Sequence, residues 1–244
     1  MKGWKQMLRS NLTGVLALCV LLGLAGCATT KQVSVKQLKE SGFLGDYSRL
    51  TPGDTAKGQA VLRYVNANAQ WTRYEAVIIE PVTFWGTDAT KLSPSAQQAL
   101  TTYFRSALET QFGAKMKVVE TPGAGVMKIQ VAITDAESAT PVLRTVSLVV
   151  PQARALNTLQ SVATGHWAFA GGCQVEARLS DASTGRTLGE MVDRRVGGSS
   201  MKAAAQWQWG DVRNAMDSWA AEYAARISAW TTGKAAPGSP PPTT

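Results

Sequence analysis

The chain has 244 residues, a formal net charge of +8, 45% hydrophobic residues and a single histidine. That length suits one good-sized domain with tails. The scattered Lys and Arg residues form no block and no nucleic-acid motif, so the charge reads as a solvated surface and excludes a nucleic-acid partner.

The first element is a leader. Lys2, Lys5 and Arg9 form a basic start, Val15 to Leu22 is an apolar run, and Ala25-Gly26 supply the small residues a signal peptidase groove requires. A membrane-spanning helix needs roughly 20 apolar residues; the run from Leu12 to Gly26 is shorter and carries Thr13, Gly14 and Gly23. Leu24-Ala25-Gly26-Cys27 has the form of a lipobox. Residues 1–26 are therefore expected to be a lipoprotein signal peptide, cleaved between Gly26 and Cys27 after the Cys27 thiol takes a diacylglycerol. One acyl chain gives marginal membrane binding and two or more give stable anchoring. Ala28 follows the cysteine, where an Asp often retains bacterial lipoproteins in the inner membrane. By this resemblance to bacterial lipoproteins, the outer membrane, with the domain facing the periplasm, is the expected location. Cleavage removes three basic residues and no acid, which takes the net charge from +8 to +5.

Residues 27–41 read as the lipidated terminus and a polar tether. The globular domain is expected over 42–232. Gly42 to Gly53 opens it as a loop, and Ala60 to Val65 is a candidate strand. Glu75 to Val82 holds the apolar run Ala76-Val77-Ile78-Ile79 of a strand buried on both faces. Ser93-Pro94 suits the N-cap and first position of a helix, with Ser95 and Gln98 as an alternative capping box. Leu100, Phe104, Ala107, Leu108 and Phe112 recur at helical spacing up to Gly113.

Strand signals follow at Lys117 to Glu120, Met127 to Ile133 and Val142 to Val150, then a short helix over 151–163. Gln174–Asp181 and Thr187–Val196 read as a hairpin turning at Ala182 to Arg186. A last amphipathic helix starts near Asp211 and places Val212, Met216, Trp219, Tyr223, Ile227 and Trp230 on one face. The Gly, Ala, Ser, Thr and Pro of 233–244 predict a disordered tail. The pattern predicts an α/β or α+β single domain, a mixed and partly antiparallel sheet packed by two main helices.

Cysteine arithmetic is short. Cys19 leaves with the leader and Cys27 is committed to lipid, so Cys173 is alone and no intrachain disulfide is expected. Its period-two surroundings place it on the buried face of a strand, as a small core residue.

No catalytic constellation emerges. His166 lies among aromatic and small residues in Gly165 to Gly172, away from carboxylates. One histidine is too few for a His-rich zinc site, no phosphate-binding glycine motif is present, and the carboxylates are too sparse for a calcium loop. No metal and no cofactor are therefore expected. Asp135 and Glu137 share one side if their strand continues past Ile133. Asp181 reads as a turn former, and Asp193, beside Arg194 and Arg195, as an ion-pairing strand residue. Trp207 and Trp209, just before the last helix, are candidate binding residues, because exposed aromatic pairs stack on sugars or anchor protein partners. The competing reading is that they staple the start of the helix to the sheet.

Ser41-Gly42-Phe43-Leu44-Gly45-Asp46-Tyr47-Ser48-Arg49-Leu50, Tyr74 to Val82, Asp181 to Gly185, Trp209-Gly210-Asp211-Val212 and Asp217-Ser218-Trp219-Ala220 together resemble the bacterial lipoprotein family catalogued as domain of unknown function 3313. The resemblance spans nearly the whole mature chain and implies an envelope lipoprotein. It brings no catalytic residues, because the family has none assigned. The sequence thus points to a non-catalytic binding or envelope-assembly module, anchored through Cys27, with an envelope protein or peptidoglycan as candidate partner. The alternative is a periplasmic hydrolase acting on cell wall or glycan through carboxylates.

Overall fold

The computed structural model describes residues 30–86, 92–139, 170–197 and 209–240. Its strands are β1 (Thr30–Gln32), β2 (Thr51–Pro52), β3 (Leu62–Val65), β4 (Ala76–Ile79) and β5 (Thr83–Phe84), then β6 (Lys117–Val118) and β7 (Val126–Glu137). β8 (Gly172–Asp181) and β9 (Thr187–Gly197) form the hairpin. Helix α1 spans Pro94–Gly113 and α2 spans Gly210–Thr231.

All nine described strands join one mixed sheet in the order β2-β3-β9-β8-β7-β4-β6, with β1 on β9 and β5 on β7. The long strands β7, β8 and β9 are antiparallel neighbours, whereas β4 runs parallel to both β6 and β7. The single-domain α+β reading therefore holds. β4 is apolar throughout because it is paired on both edges and all four of its residues are buried. α1 starts where the Ser-Pro pair predicts: Ser93 Oγ accepts from the Ala96 amide and Pro94 follows it. The expected strand 142–150 and helix 151–163 lie outside the described residues, as do the leader, Cys27, His166 and Trp207.

Strand alternation sorts the sheet into two faces. Register pairs Val175 with Asp193 and Ile133, and Ala177 with Met191 and Val131, so these side chains share the face that packs on the helices. Phe104 of α1 meets Trp219 of α2 with ring centroids 6.0 Å apart, and the Tyr103 hydroxyl donates to Asp217 at 2.9 Å. Gln174, Glu176, Arg178 and Glu190 occupy the opposite face. There a loop, residues 39–50, packs on the sheet.

Both ends of the domain extend further than composition predicts. Val33 is buried, β1 pairs with the end of β9, and Gln32 Nε2 donates to Asp193 at 2.8 and 2.9 Å. The tether expected over 27–41 is thus part of the sheet from Thr30 onward. Its polar side chains hide this, since Gln32 docks through a buried carboxylate and not through apolar area. Residues 233–240 likewise lie against the domain instead of being disordered. Gly238 O accepts from Gln59 and Arg63, and Ser239 O from Trp230 Nε1 at 2.9 Å. Carbonyls supply the docking that side chains cannot.

The β8–β9 turn is organised by Asp181, as its sequence suggests. Asp181 Oδ1 accepts from the Ser183 amide at 3.0 Å, the Ser183 hydroxyl at 2.6 Å and the Thr184 amide at 2.9 Å. Oδ2 accepts from the Tyr74 hydroxyl at 2.8 Å, and Gly185 turns the chain at φ +73°. Burial opposes the charge, but the bonds from Ser183, Tyr74 and Thr184 overcome it and hold the carboxyl well below its ordinary 3.8. A depressed carboxyl stabilises the fold fully above its unfolded value and loses that contribution as acid protonates it. Acid unfolding followed by circular dichroism should therefore show stability falling below about pH 4. Asp181→Asn should flatten that fall while lowering stability at neutral pH; an unchanged acid limb would contradict the assignment.

Candidate functional site

Three polar clusters bear on function. The first pins the loop over the open face of the sheet. Glu176, fully buried, accepts from the Ser41 amide at 3.0 Å and from the Tyr47 hydroxyl at 2.6 Å. The same hydroxyl accepts from the Gly42 amide at 2.9 Å. Burial and the bond to Glu176 raise the Tyr47 pKa, so it stays a donor. One strand over, Glu190 accepts from Arg49 Nε at 2.6 Å and Arg178 Nε at 2.8 Å, and Arg49 also lies 4.9 Å from the Tyr64 ring centre. The segment that carries the family resemblance is thus a strap held by two buried carboxylates. The sequence offers no local signal for this, because the partners are more than a hundred residues away.

The second cluster lies under α2. Asp193, with no exposed surface, accepts from Gln32 Nε2, from the Val61 amide at 3.1 Å and from Trp219 Nε1 at 2.6 Å, with Arg195 Nε at 3.4 Å. One carboxylate therefore ties together β1, the start of β3, β9 and α2. Burial raises its pKa, against the pull of Arg195, Trp219, Gln32 and the Val61 amide. Arg195 continues to Glu222 through two bonds of 3.1 and 2.7 Å. The ion-pairing role expected of Asp193 is present, in a buried hub.

The third cluster adjoins a cavity of about 100 Å³ between the helices and the sheet. Arg63, Tyr223 and Arg226 contribute to its wall. The Tyr223 hydroxyl and Arg226 Nε are buried with no hydrogen-bond partner among the described residues. Sequence reading placed Tyr223 only on the apolar face of the last helix and did not single out Arg63 or Arg226. Arg226 did leave a signal, since it falls between Tyr223 and Trp230 at the spacing of the apolar stripe.

The remaining candidates are mostly accounted for by packing. Asp135 and Glu137 do share a side, and both engage Arg194, the latter at 2.8 Å. Trp209 stands at the N-cap of α2, half-buried and packed against the core. Trp85, at 46% exposure, meets the Phe43 ring edge-on at 5.4 Å. Among the described residues no group of three or more His, Cys, Asp or Glu could hold a metal ion. No described helix is long and apolar enough to cross a membrane.

Cys173 has no exposed surface, and burial, with the Asp135 charge, pushes its thiol pKa far up. A thiolate is the reactive form, so the native chain should resist maleimide. Denaturation should then make the thiol reactive, by mass spectrometry; full labelling of Cys173 in the native chain would contradict its burial.

The Escherichia coli K12 protein named uncharacterized lipoprotein YdcL is 25% identical over 218 residues, covering 88% of this chain and 96% of its own. Its counterpart from Escherichia coli O157:H7 matches to the same extent. Among solved structures, the PelC dodecamer from Paraburkholderia phytofirmans aligns with a TM-score of 0.37 at 13% identity, over 65% of this chain and 92% of that one. Protein XCC0632 from Xanthomonas campestris, of family DUF330, aligns with a TM-score of 0.37 at 13% identity, over 70% and 93%. A sequence profile described as "Protein of unknown function (DUF3313)" matches residues 39–223, from the strap to Tyr223 on α2, and the chain belongs to that family.

Proposed function

We propose that this protein is a lipoprotein anchored in the outer membrane through Cys27, whose periplasmic domain is a non-catalytic binding or envelope-assembly module. The observation that carries the anchor is the Leu-Ala-Gly-Cys stretch, supported by the likeness to a lipoprotein along most of both chains. The fold adds a geometric consequence. Cys27 is only three residues before Thr30, which pairs with Gly197. Three extended residues span about 10 Å, so an anchor on Cys27 would hold the domain against the headgroups and not at the end of a long tether. The acids count against the carboxylate-hydrolase alternative, since Asp135, Glu137, Asp181 and Asp193 each serve as acceptors within the fold.

Cys27→Ala should abolish radiolabelled palmitate incorporation and accumulate the unprocessed chain, with loss of the wild-type protein's outer-membrane density. Normal acyl labelling of the variant would overturn the anchor. Mild crosslinking of the native protein should capture a reproducible envelope partner; a strictly monomeric protein with none would overturn the module reading.

A further inference from the structure

The cavity between α2 and the sheet combines two things that normally exclude each other. Phe104, Leu108, Trp71, Trp219, Ile227 and Trp230 give it an apolar lining. Arg63 and Arg226 also line it, and among the described residues neither has a carboxylate within salt-bridge distance. Arg226 is only 3% exposed. A buried guanidinium is costly to desolvate unless an anion and further hydrogen bonds compensate it. The hydrogen bonds of Arg226 go only to neutral carbonyls among the described residues, and Glu222 acts on it from beyond salt-bridge distance. Arg226 donates to Lys57 O at 3.1 Å, Gly58 O at 2.9 Å and Ser239 O at 3.4 Å, while its Nε has no partner among the described residues. Arg63 donates to Gly238 O at 2.6 Å. The two arginines thus converge on one turn of the C-terminal segment, beside the Tyr223 hydroxyl.

Oxygens at 238 and 239 stand where the oxygens of an anionic ligand would be held. Planar guanidinium forks match carboxylate geometry, and the Tyr223 hydroxyl has a proton to donate, burial keeping it neutral. We propose that Arg63, Arg226 and the Tyr223 hydroxyl form a binding site for the carboxylate of a short alkyl acid, with its chain in the apolar cavity and residues 238–239 covering the site when it is empty. The size limit is explicit. A dry 150 Å³ cavity accepts benzene, so about 100 Å³ suits an alkyl chain of roughly four carbons. The proposal gives the module reading a ligand and rests on it, but it does not require the lipid anchor.

The lipidated full chain, reconstituted in phosphatidylcholine vesicles, would be titrated with carboxyl-labelled ¹³C-pentanoate and followed by NMR against the same vesicles without protein. Saturable line broadening is expected, weakened at least tenfold by Arg63→Gln. Pentylamine, with the same chain and opposite charge, should not compete; inorganic phosphate, with charge but no chain, should compete at least tenfold more weakly. No saturable binding, equal competition by pentylamine or phosphate, or unchanged affinity in Arg63→Gln would each overturn the site. Arg63 is half-buried, so its variant remains a test even where Arg226→Gln fails to fold. Because the module reading is tested by crosslinked partners, a negative titration beside a positive crosslink would remove this ligand alone.

Discussion

Asp193→Ala should lower the thermal midpoint by about 10 °C. Removing the carboxylate leaves the Arg195 guanidinium, the Trp219 indole N–H and the Val61 amide under α2 with one acceptor fewer. Arg195 keeps its two bonds to Glu222, so the loss comes mainly from the buried indole and amide donors left unpaired, about 1–3 kcal/mol each. A chain of this size loses about 2–4 °C per kcal/mol. Asp193→Asn should fall between wild type and alanine, since an amide oxygen still accepts from Trp219 or Val61 while the attraction to Arg195 is lost. Calorimetry gives the midpoint, and hydrogen exchange gives the local signature. Because Gln32 docks on the same carboxylate, the amides of β1 should exchange faster in both variants. An alanine variant within 2–3 °C of wild type, the effect of roughly 1 kcal/mol, would mean that the hub does not couple these elements.

The hub also shows what the sequence could and could not reveal. Period-two alternation from Cys173 to Leu179 assigns the core face correctly, because each apolar side chain there packs beneath the helices. The same alternation marks Gln174 and Glu176 as polar-face residues, and both are nevertheless buried. Alternation reports that two faces differ in polarity, not that the polar one is wet. What covers it is the strap, a stretch of Ser, Gly, Asp and Tyr with turn chemistry and no apolar periodicity. Its partners Glu176 and Glu190 lie on strands far along the chain, so no local pattern can announce them. Thr30 to Gln32 is missed for the same reason: three residues are too few for a strand pattern, and Gln32 is held by a distant acid. Arg226 is different. A charge on the stripe that holds Trp219, Tyr223 and Trp230 is visible in the sequence; only the fold shows that it is buried and opposite Arg63.

Glu190→Ala tests the strap directly, and should cost about 3 kcal/mol, the lower end for breaking a buried ion pair. The lower end applies because the two partners are not themselves deeply buried. The Arg49 side chain keeps 37% exposure and that of Arg178 29%, so both recover some hydration when the carboxylate goes. Each also retains a neutral contact, Arg49 to Thr187 Oγ1 at 3.4 Å and Arg178 to the Leu44 carbonyl. Arg49→Ala should cost less, about 1 kcal/mol, as for a pair with one solvent-reachable partner. The ordering distinguishes a strap from ordinary loop packing. If Glu190 holds the loop, amides at 41–50 exchange fastest in Glu190→Ala and at an intermediate rate in Arg49→Ala, with limited proteolysis opening the same stretch. If the loop were held by its own turns, global stability would fall in Glu190→Ala while protection at 41–50 stayed at the wild-type level. Glu176→Gln supplies the complementary arm, since the amide oxygen can still accept from Tyr47 or the Ser41 amide, and the loop should then loosen only slightly.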